Sequence, residues 1–124
     1  MVAKKSIRGI SRIIRLWLPV LFFLGFIFYA STIPGNDIPR LFSLQSIVFH
    51  LLVYLFLAFF LIRALRRACP SAPASKLIFF VIIFGIIYGI MDELHQGFTP
   101  GRSVSGFDVF IDGLGSVIGS IIYR

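Results

Sequence analysis

The sequence predicts an all-α integral membrane protein, a single domain over residues 1–124 with four transmembrane helices and both termini in the cytoplasm. Three observations lead to this prediction. The 124 residues are 58% hydrophobic, have a mean hydropathy of +0.97 and include 15 Phe, more apolar surface than so small a soluble domain could bury. Four apolar runs alternate with short polar connections. Basic residues gather beside alternate connections, as they do in multi-pass membrane proteins.

The first two apolar runs cover about residues 16–31 and about residues 46–65. Trp17 and Tyr29 lie near the two ends of the first run, where amphipathic rings favour the headgroup level. No small residue stands two positions before Ala30, so we expect an uncleaved first helix and not a signal peptide. The second run of roughly 20 residues makes about 30 Å of helix, enough to cross the hydrocarbon core.

The third and fourth runs cover about residues 77–96 and about residues 105–123. Gly97 ends the third run after a polar stretch that continues its helical register. The fourth run begins at Ser105, which has the spacing of a capping box with Asp108. Because every run exceeds about 14 residues, buried strands are a poor alternative.

The distribution of charge predicts the orientation of the chain. Of the 12 Lys and Arg residues, only Arg40 and Arg102 fall on one side of the predicted bundle, while the other ten, Arg124 included, fall opposite. The positive-inside rule places those ten in the cytoplasm. The net charge of +7 therefore reflects topology, and no nucleic-acid-binding module is recognisable. The acidic and histidine residues then lie on or near the outer side: Asp37, His50, Asp92, Glu93, His95, Asp108 and Asp112.

Helices three and four each carry one stripe of small and polar residues. Since the two helices are predicted to be antiparallel, we expect glycines to meet glycines in the inner half and polar groups to meet in the outer half. An ionised Asp112 facing lipid would cost at least about 2.5 to 3.5 kcal/mol, so it must face protein or water. The stripes are Gly85, Gly89, Asp92 and Gln96 on helix three, and Asp108, Asp112, Gly115 and Gly119 on helix four.

His50 and Tyr54, one turn apart on helix two, are expected to complete this outer site. Asp108 and Asp112 lie four residues apart and repel each other unless one is protonated or a cation lies between them. The cation would be Arg102, a histidine or a bound metal. Arg102 has two interpretations: it pairs with Asp108, or it binds a lipid phosphate or an anionic wall precursor. We favour the ion pair with Asp108.

The polar cluster has two interpretations: a buried network that fixes helix packing, or a ligand-binding or catalytic site. We favour the site, because intramembrane ionisable groups are costly and usually functional. Glu93 points about 100° away from Asp92 around the helix axis. The alternative to a place in the site is therefore that Glu93 faces the lipid headgroups. The predicted ligand-binding residues are His50, Tyr54, Asp92, Glu93, Gln96, Arg102, Asp108 and Asp112, and the catalytic candidates are His50, Asp92, His95 and Asp108.

No cofactor and no metal site are predicted, because a dense motif such as His-Glu-x-x-His is missing from the sequence. The alternative is a divalent ion, zinc or manganese, held by His50 or His95 with the neighbouring carboxylates.

The segment from Tyr88 to Ser103, with its Asp-Glu, Gln and Pro-Gly-Arg elements, resembles the signature of VanZ-like membrane proteins. The later Asp108, Gly115 and Gly119 continue the resemblance, as do the Pro-Gly after helix one and the His50–Tyr54 spacing; together they extend it from about Trp17 to Tyr123. Two departures are Ser46-Ile47 where the family usually has Asp-Lys, and Asp112 where it often has Asn.

The resemblance implies a multi-pass protein of the bacterial cytoplasmic (inner) membrane with a role at the cell envelope. The founding member is associated with low-level resistance to the glycopeptide teicoplanin. Our leading hypothesis is therefore a site that binds a lipid-linked or amphiphilic ligand: a membrane lipid, a lipid-linked wall precursor or a glycopeptide.

Two other hypotheses stay open. In the first, a membrane enzyme carries out phosphoryl or acyl transfer on an envelope lipid, with His50 or His95 as base, Asp92 or Asp108 orienting it, and Arg102 stabilising the anion. In the second, the chain is a noncatalytic assembly partner of another membrane protein or of a second copy. A transporter is disfavoured, because one copy encloses little beyond its bundle core.

Overall fold

The computed structural model describes residues 1–123 and is all-helical. Three of its helices are long and apolar enough to cross a membrane, so the chain has the character of a multi-pass membrane protein. The fourth helix has 17 residues, about 25 Å, at the lower end of the spanning range. The helices are α1 (Val2–Thr32), α2 (Gln45–Ala68), α3 (Ala74–Gln96) and α4 (Gly106–Ile122), and a 3-10 turn covers Gly35–Asp37.

Helix α1 is much longer than its apolar run, because it takes in the basic amino-terminal segment. Lys, Arg and Ile tolerate helix well, and the isolated Gly9 does not end the helix. Pro19 lies inside α1 and has no N–H to donate to the carbonyl four residues earlier, that of Arg15. That carbonyl accepts a hydrogen bond from Arg63 of α2 at 3.0 Å. Arg124, counted above with the cytoplasmic charges, lies outside the described residues.

Neighbouring helices along the chain run antiparallel, and α4 packs mainly against α2 and α3. Phe23 of α1 stacks on Phe56 and Phe60 of α2, with ring centroids 5.7 and 5.9 Å apart. Most of the outer surface is apolar: α1 buries only three residues, and Phe79 of α3 is 67% exposed. Lipid is the solvent that such a surface requires.

The predicted meeting of glycines between α3 and α4 is wrong. A Cβ at Gly89 would meet Asp112, and one at Gly115 would lie 2.6 Å from the carbonyl oxygen of Leu51 on α2. A Cβ at Gly119 would likewise meet the α2 backbone, at Leu55. The small residues of α4 therefore allow a close approach to α2, which the periodicity of α4 alone could not specify.

The loop between α3 and α4 is bound to the end of α1. The N–H of Gly35 donates to the carbonyl of Pro100 at 2.9 Å, and Gly101 has φ +74, a backbone conformation that favours glycine. No side chain would fit at Gly35, because its Cβ would meet the Gly101 backbone. The hydroxyl of Thr99 donates to the carbonyl of Ser31 at 2.8 Å. Two Pro-Gly turns thus pack backbone against backbone at the end of the bundle that holds the site.

Candidate functional site

His50 of α2 is the centre of the polar cluster and is 3% exposed. Its Nδ1 lies 2.8 Å from Oδ1 of Asp112 on α4, and Asp112 has no exposed surface. A carboxylate accepts hydrogen bonds, so Nδ1 is the donor. This bond fixes the ring so that Nε2 points away from Asp112.

Two further carboxylates face Nε2 of His50. Oε1 of Glu93 lies 3.8 Å away and Oδ2 of Asp108 lies 3.6 Å away, with the two side chains 2% and 13% exposed. Both distances are too long for hydrogen bonds. The three helices α2, α3 and α4 therefore bring one imidazole and three carboxyl groups together.

The start of α4 explains how Glu93 and Asp108 reach this position. Ser105 caps the helix as predicted, its hydroxyl accepting from the N–H of Asp108 at 3.3 Å. In a full capping box the Asp108 carboxylate would bond the N–H of Ser105. Instead, Oε2 of Glu93 accepts the hydrogen bond from the N–H of Ser105, at 2.9 Å. The Asp108 carboxylate is therefore free of the cap and lies near His50. The alternative that Glu93 faces the headgroups is wrong, because Glu93 is 1% exposed.

A cavity of about 790 Å³ opens beside the cluster. His50, Gln96 and Asp108 line it, and so do Arg40 and Arg102. The rest of the lining mixes apolar side chains, among them Ile33, Leu41, Phe42 and Phe49, with serines and a glutamine. The cavity thus combines one carboxylate, that of Asp108, with two guanidinium groups and several apolar side chains.

Arg102 does not form the expected ion pair with Asp108. Its Nη1 donates to the carbonyls of Ala30 and Ile33, at 3.1 Å each. The carbonyl of Ala30 also accepts from the N–H of Ile33 at 3.3 Å, so Arg102 adds a second donor there and joins the α3–α4 loop to the end of α1. Within residues 1–123, the ion pairs formed by the acidic cluster involve His50.

The remaining predicted residues divide between the cluster and its surroundings. Tyr54, one turn from His50, is fully buried, and Gln96 donates to the carbonyl of Ser103 at 3.1 Å at the cavity wall. Asp92 is buried on α3, about one helical turn before Gln96.

His95 lies apart from the cluster. Its Nδ1 is 2.6 Å from Oγ of Ser31, and its ring stacks on Phe28 with a centroid distance of 4.4 Å. The contacts of His95 are thus with α1, and it does not line the cavity.

Several buried polar atoms of the cluster have no hydrogen-bond partner in the described chain: Oε1 of Glu93, Oδ2 of Asp112 and the hydroxyl of Tyr54. Unpaired buried polar groups are costly and rare in proteins. One ligand atom each from His50, Glu93 and Asp112 lies within 4.8 Å of the others, a grouping able to hold a metal ion. The cluster therefore offers buried polar atoms that a ligand or a metal ion could contact.

Sequence reasoning missed two contributors. Arg40 was recognised as an outer basic residue but not as part of the cavity, and the N–H of Ser105 was not expected to hold Glu93. The presence of just two basic residues on the outer side was a signal that could have drawn attention to Arg40.

Comparison with known proteins places these features in context. A family model described as VanZ/LLP1 matches residues 16–124, which include every residue of the cluster and the cavity. No curated protein and no solved structure matches the chain.

Proposed function

The chain belongs to the VanZ/LLP1 family, and from that premise we propose that its cavity binds the anionic headgroup of a lipid-linked or amphiphilic envelope ligand. The observation that carries the proposal is the composition of the cavity wall, in which Arg40 and Arg102 stand beside apolar side chains. A guanidinium group is suited to phosphate and carboxylate, and the apolar wall suits a lipid chain.

The size of the cavity agrees with this function. Its volume of about 790 Å³ lies within the roughly 300–1,000 Å³ typical of small-molecule sites. Such a volume holds a headgroup and the first part of a chain, while the rest of the chain stays in the bilayer. The exposed apolar faces of the helices provide the contact with lipid that this arrangement needs.

The proposal includes an orientation. With both termini and the α2–α3 loop in the cytoplasm, and α4 as a fourth span, the cavity opens to the outer leaflet of the bacterial cytoplasmic membrane. A lipid-linked wall precursor or an amphiphilic glycopeptide would meet it there. Binding of either, or a change in envelope lipid, would account for tolerance to a glycopeptide such as teicoplanin.

A second candidate, phosphoryl or acyl transfer on such a lipid, is favoured by the His50–Asp112 pair. Asp112 holds Nδ1 of His50 at 2.8 Å, and His50 lines the cavity. In this reaction, with water as the acceptor, Nε2 takes a proton from water as the water oxygen bonds to phosphorus or acyl carbon. The bond to the leaving oxygen breaks, and that oxygen takes the proton from Nε2. Asp112 is then the orienting residue, in place of Asp92 or Asp108.

The test compares a polyprenyl phosphate with the neutral polyprenol of equal length, each offered to the full chain in nanodiscs and measured by native mass spectrometry. We expect at least tenfold preference for the phosphate. Arg40→Gln should weaken phosphate binding about tenfold or more, since a hydrogen bond to a charged group contributes about 1.5–3 kcal/mol. Arg63→Gln, which changes an arginine bound to α1 far from the cavity, is the matched control.

Equal binding of the two lipids, or an Arg40→Gln variant that binds like the unaltered chain, would contradict the proposal. The same samples test the second candidate, because transfer would convert the bound lipid to a product of different mass. His50→Gln should abolish that conversion.

A further inference from the structure

The space next to Nε2 of His50 has the dimensions of a metal site. Oε1 of Glu93 lies 3.8 Å from Nε2, and Oδ2 of Asp108 lies 3.6 Å from it. Nitrogen and oxygen ligands of a tetrahedral ion, bound at about 2.0–2.1 Å, lie about 3.4 Å apart. Each carboxylate oxygen is therefore only a few tenths of an ångström farther from Nε2 than two ligands of one ion would be.

The imidazole is oriented for coordination. Because Nδ1 of His50 donates to Asp112, the lone pair of a neutral ring lies on Nε2, toward the two carboxylates. Metal-binding histidines commonly donate their other N–H to a carboxylate, which sets the tautomer and the ring orientation. Asp112 occupies that position and is fully buried.

An unpartnered buried oxygen provides an independent sign of a missing ligand. Glu93 is 1% exposed, and its Oε1, directed at this space, has no hydrogen-bond partner in the described chain. Its other oxygen is held by the N–H of Ser105 at 2.9 Å, so the carboxylate is oriented from outside the cluster. An unpaired buried carboxylate oxygen is costly, and a cation removes that cost.

The charge of the surroundings points the same way. Three carboxyl groups, Glu93, Asp108 and Asp112, surround one imidazole. Arg102, which lines the cavity, is hydrogen-bonded to carbonyls of the α1 end. A cation from solution would balance this excess of acidic groups.

We propose that this cluster binds one divalent transition-metal ion, with His50, Glu93 and Asp108 as ligands and Asp112 as the positioning residue. One imidazole and two carboxylates form a ligand set suited to Zn²⁺ or Mn²⁺. The inference rests on the proposed function for its role, because His50 and Asp108 both line the cavity. An open coordination position would face the headgroup, which explains how an anionic ligand lies beside carboxylates.

The experiment measures metal binding by the full chain in detergent. The protein is stripped with a chelator, then titrated with Mn²⁺ followed by electron paramagnetic resonance, and with Zn²⁺ followed by elemental analysis after gel filtration. We expect one ion per chain. Glu93→Gln and Asp108→Asn should each weaken binding at least tenfold, and Asp112→Asn should weaken it about 10- to 100-fold.

Asp37→Asn is the matched control, since it removes one outer acidic charge from an exposed residue outside the cluster and should leave binding unchanged. Should Glu93→Gln fail to fold, Asp108→Asn, at the more exposed cavity edge, provides the test. Failure of the folded unaltered chain to bind either ion in stoichiometric amount, or unchanged binding by Asp108→Asn, would overturn the inference.

Lipid binding measured with and without metal separates this inference from the proposed function. A chain that binds the ion but does not distinguish polyprenyl phosphate from polyprenol keeps the metal site and loses the headgroup proposal. A chain that binds no ion but still prefers the phosphate keeps the headgroup proposal and loses the metal site. Metal on Nε2 would also exclude His50 as a general base, so the titration bears on the second candidate as well.

Discussion

The hydrogen bond between His50 and Asp112 joins α2 to α4, two of the three helices that form the cluster. Both residues are buried, and the bond is 2.8 Å long. An ionisable residue inside a membrane bundle is tolerated when it has a partner, and each of these two provides one for the other. Removing one partner leaves the other with an unsatisfied group.

Replacing Asp112 tests this pair. Asp112→Ala leaves the Nδ1–H of His50 without an acceptor and should lower the free energy of unfolding by about 1–3 kcal/mol. Asp112→Asn keeps an acceptor oxygen at the same place and should cost less than half as much. Unfolding of the purified chain in detergent, followed by circular dichroism, measures both.

The control for this pair is Asp37→Ala, which alters an exposed carboxylate and should leave stability unchanged. Equal losses for Asp112→Ala and Asp112→Asn would show that the acceptor is not what Asp112 contributes.

At the scale of the elements, α4 is the helix that the other parts of the site depend on. It carries Asp108 and Asp112 to His50, and its small residues let it lie close to the α2 backbone. Ser105 links the start of α4 to Glu93 of α3. The distance between α2 and α4 therefore sets the dimensions of the cluster.

A single methyl group at Gly119 tests that dependence. Gly119→Ala would place its Cβ against the carbonyl of Leu55 and 2.9 Å from the Cβ of Ala58, forcing α2 and α4 apart. Overpacking of this kind costs about 1–3 kcal/mol, and the cluster would lose its geometry. Thermal unfolding measures the stability loss, and the metal titration measures the change at the site.

Gly25→Ala is the matched control, because nothing lies within 4 Å of its added Cβ. In an exposed helix position this change should stabilise the chain by up to about 1 kcal/mol. If the two variants behaved alike, close packing of α4 on α2 would not be what maintains the cluster.

At the scale of the whole molecule, charge and hydropathy together predict how the bundle sits in the bilayer. The α2–α3 loop, with its exposed Cys69, belongs to the basic end. The α3–α4 loop belongs to the opposite end, and its Phe98 is 90% exposed. The two loops are therefore suitable reporters of orientation.

A membrane-impermeant maleimide tests the predicted orientation. Cys69 should react in inverted vesicles and stay unlabelled in intact spheroplasts. In a Cys69→Ser background, Phe98→Cys should show the opposite pattern. Labelling of Phe98→Cys from the cytoplasmic side alone would place the cavity in the cytoplasm and contradict the outer-leaflet part of the proposed function.

The sequence by itself determined the helical class, the number of helices and the end of the bundle that carries the polar groups. These features follow from local hydropathy, from turn residues and from the distribution of charge, all of which can be read along the chain. The cap of α4 at Ser105 was predictable for the same reason, because its donor lies three residues away.

Only the tertiary structure decided which of the polar groups meet. Each residue turns about 100° around a helix axis, so periodicity defines a stripe but not the neighbour that the stripe faces. That is why Glu93 lies inside the cluster while His95 contacts α1, and why Arg102 binds helix-end carbonyls instead of Asp108. The rotation and axial register of packed helices depend on contacts between residues far apart in the chain, and these contacts place His50 between three carboxyl groups.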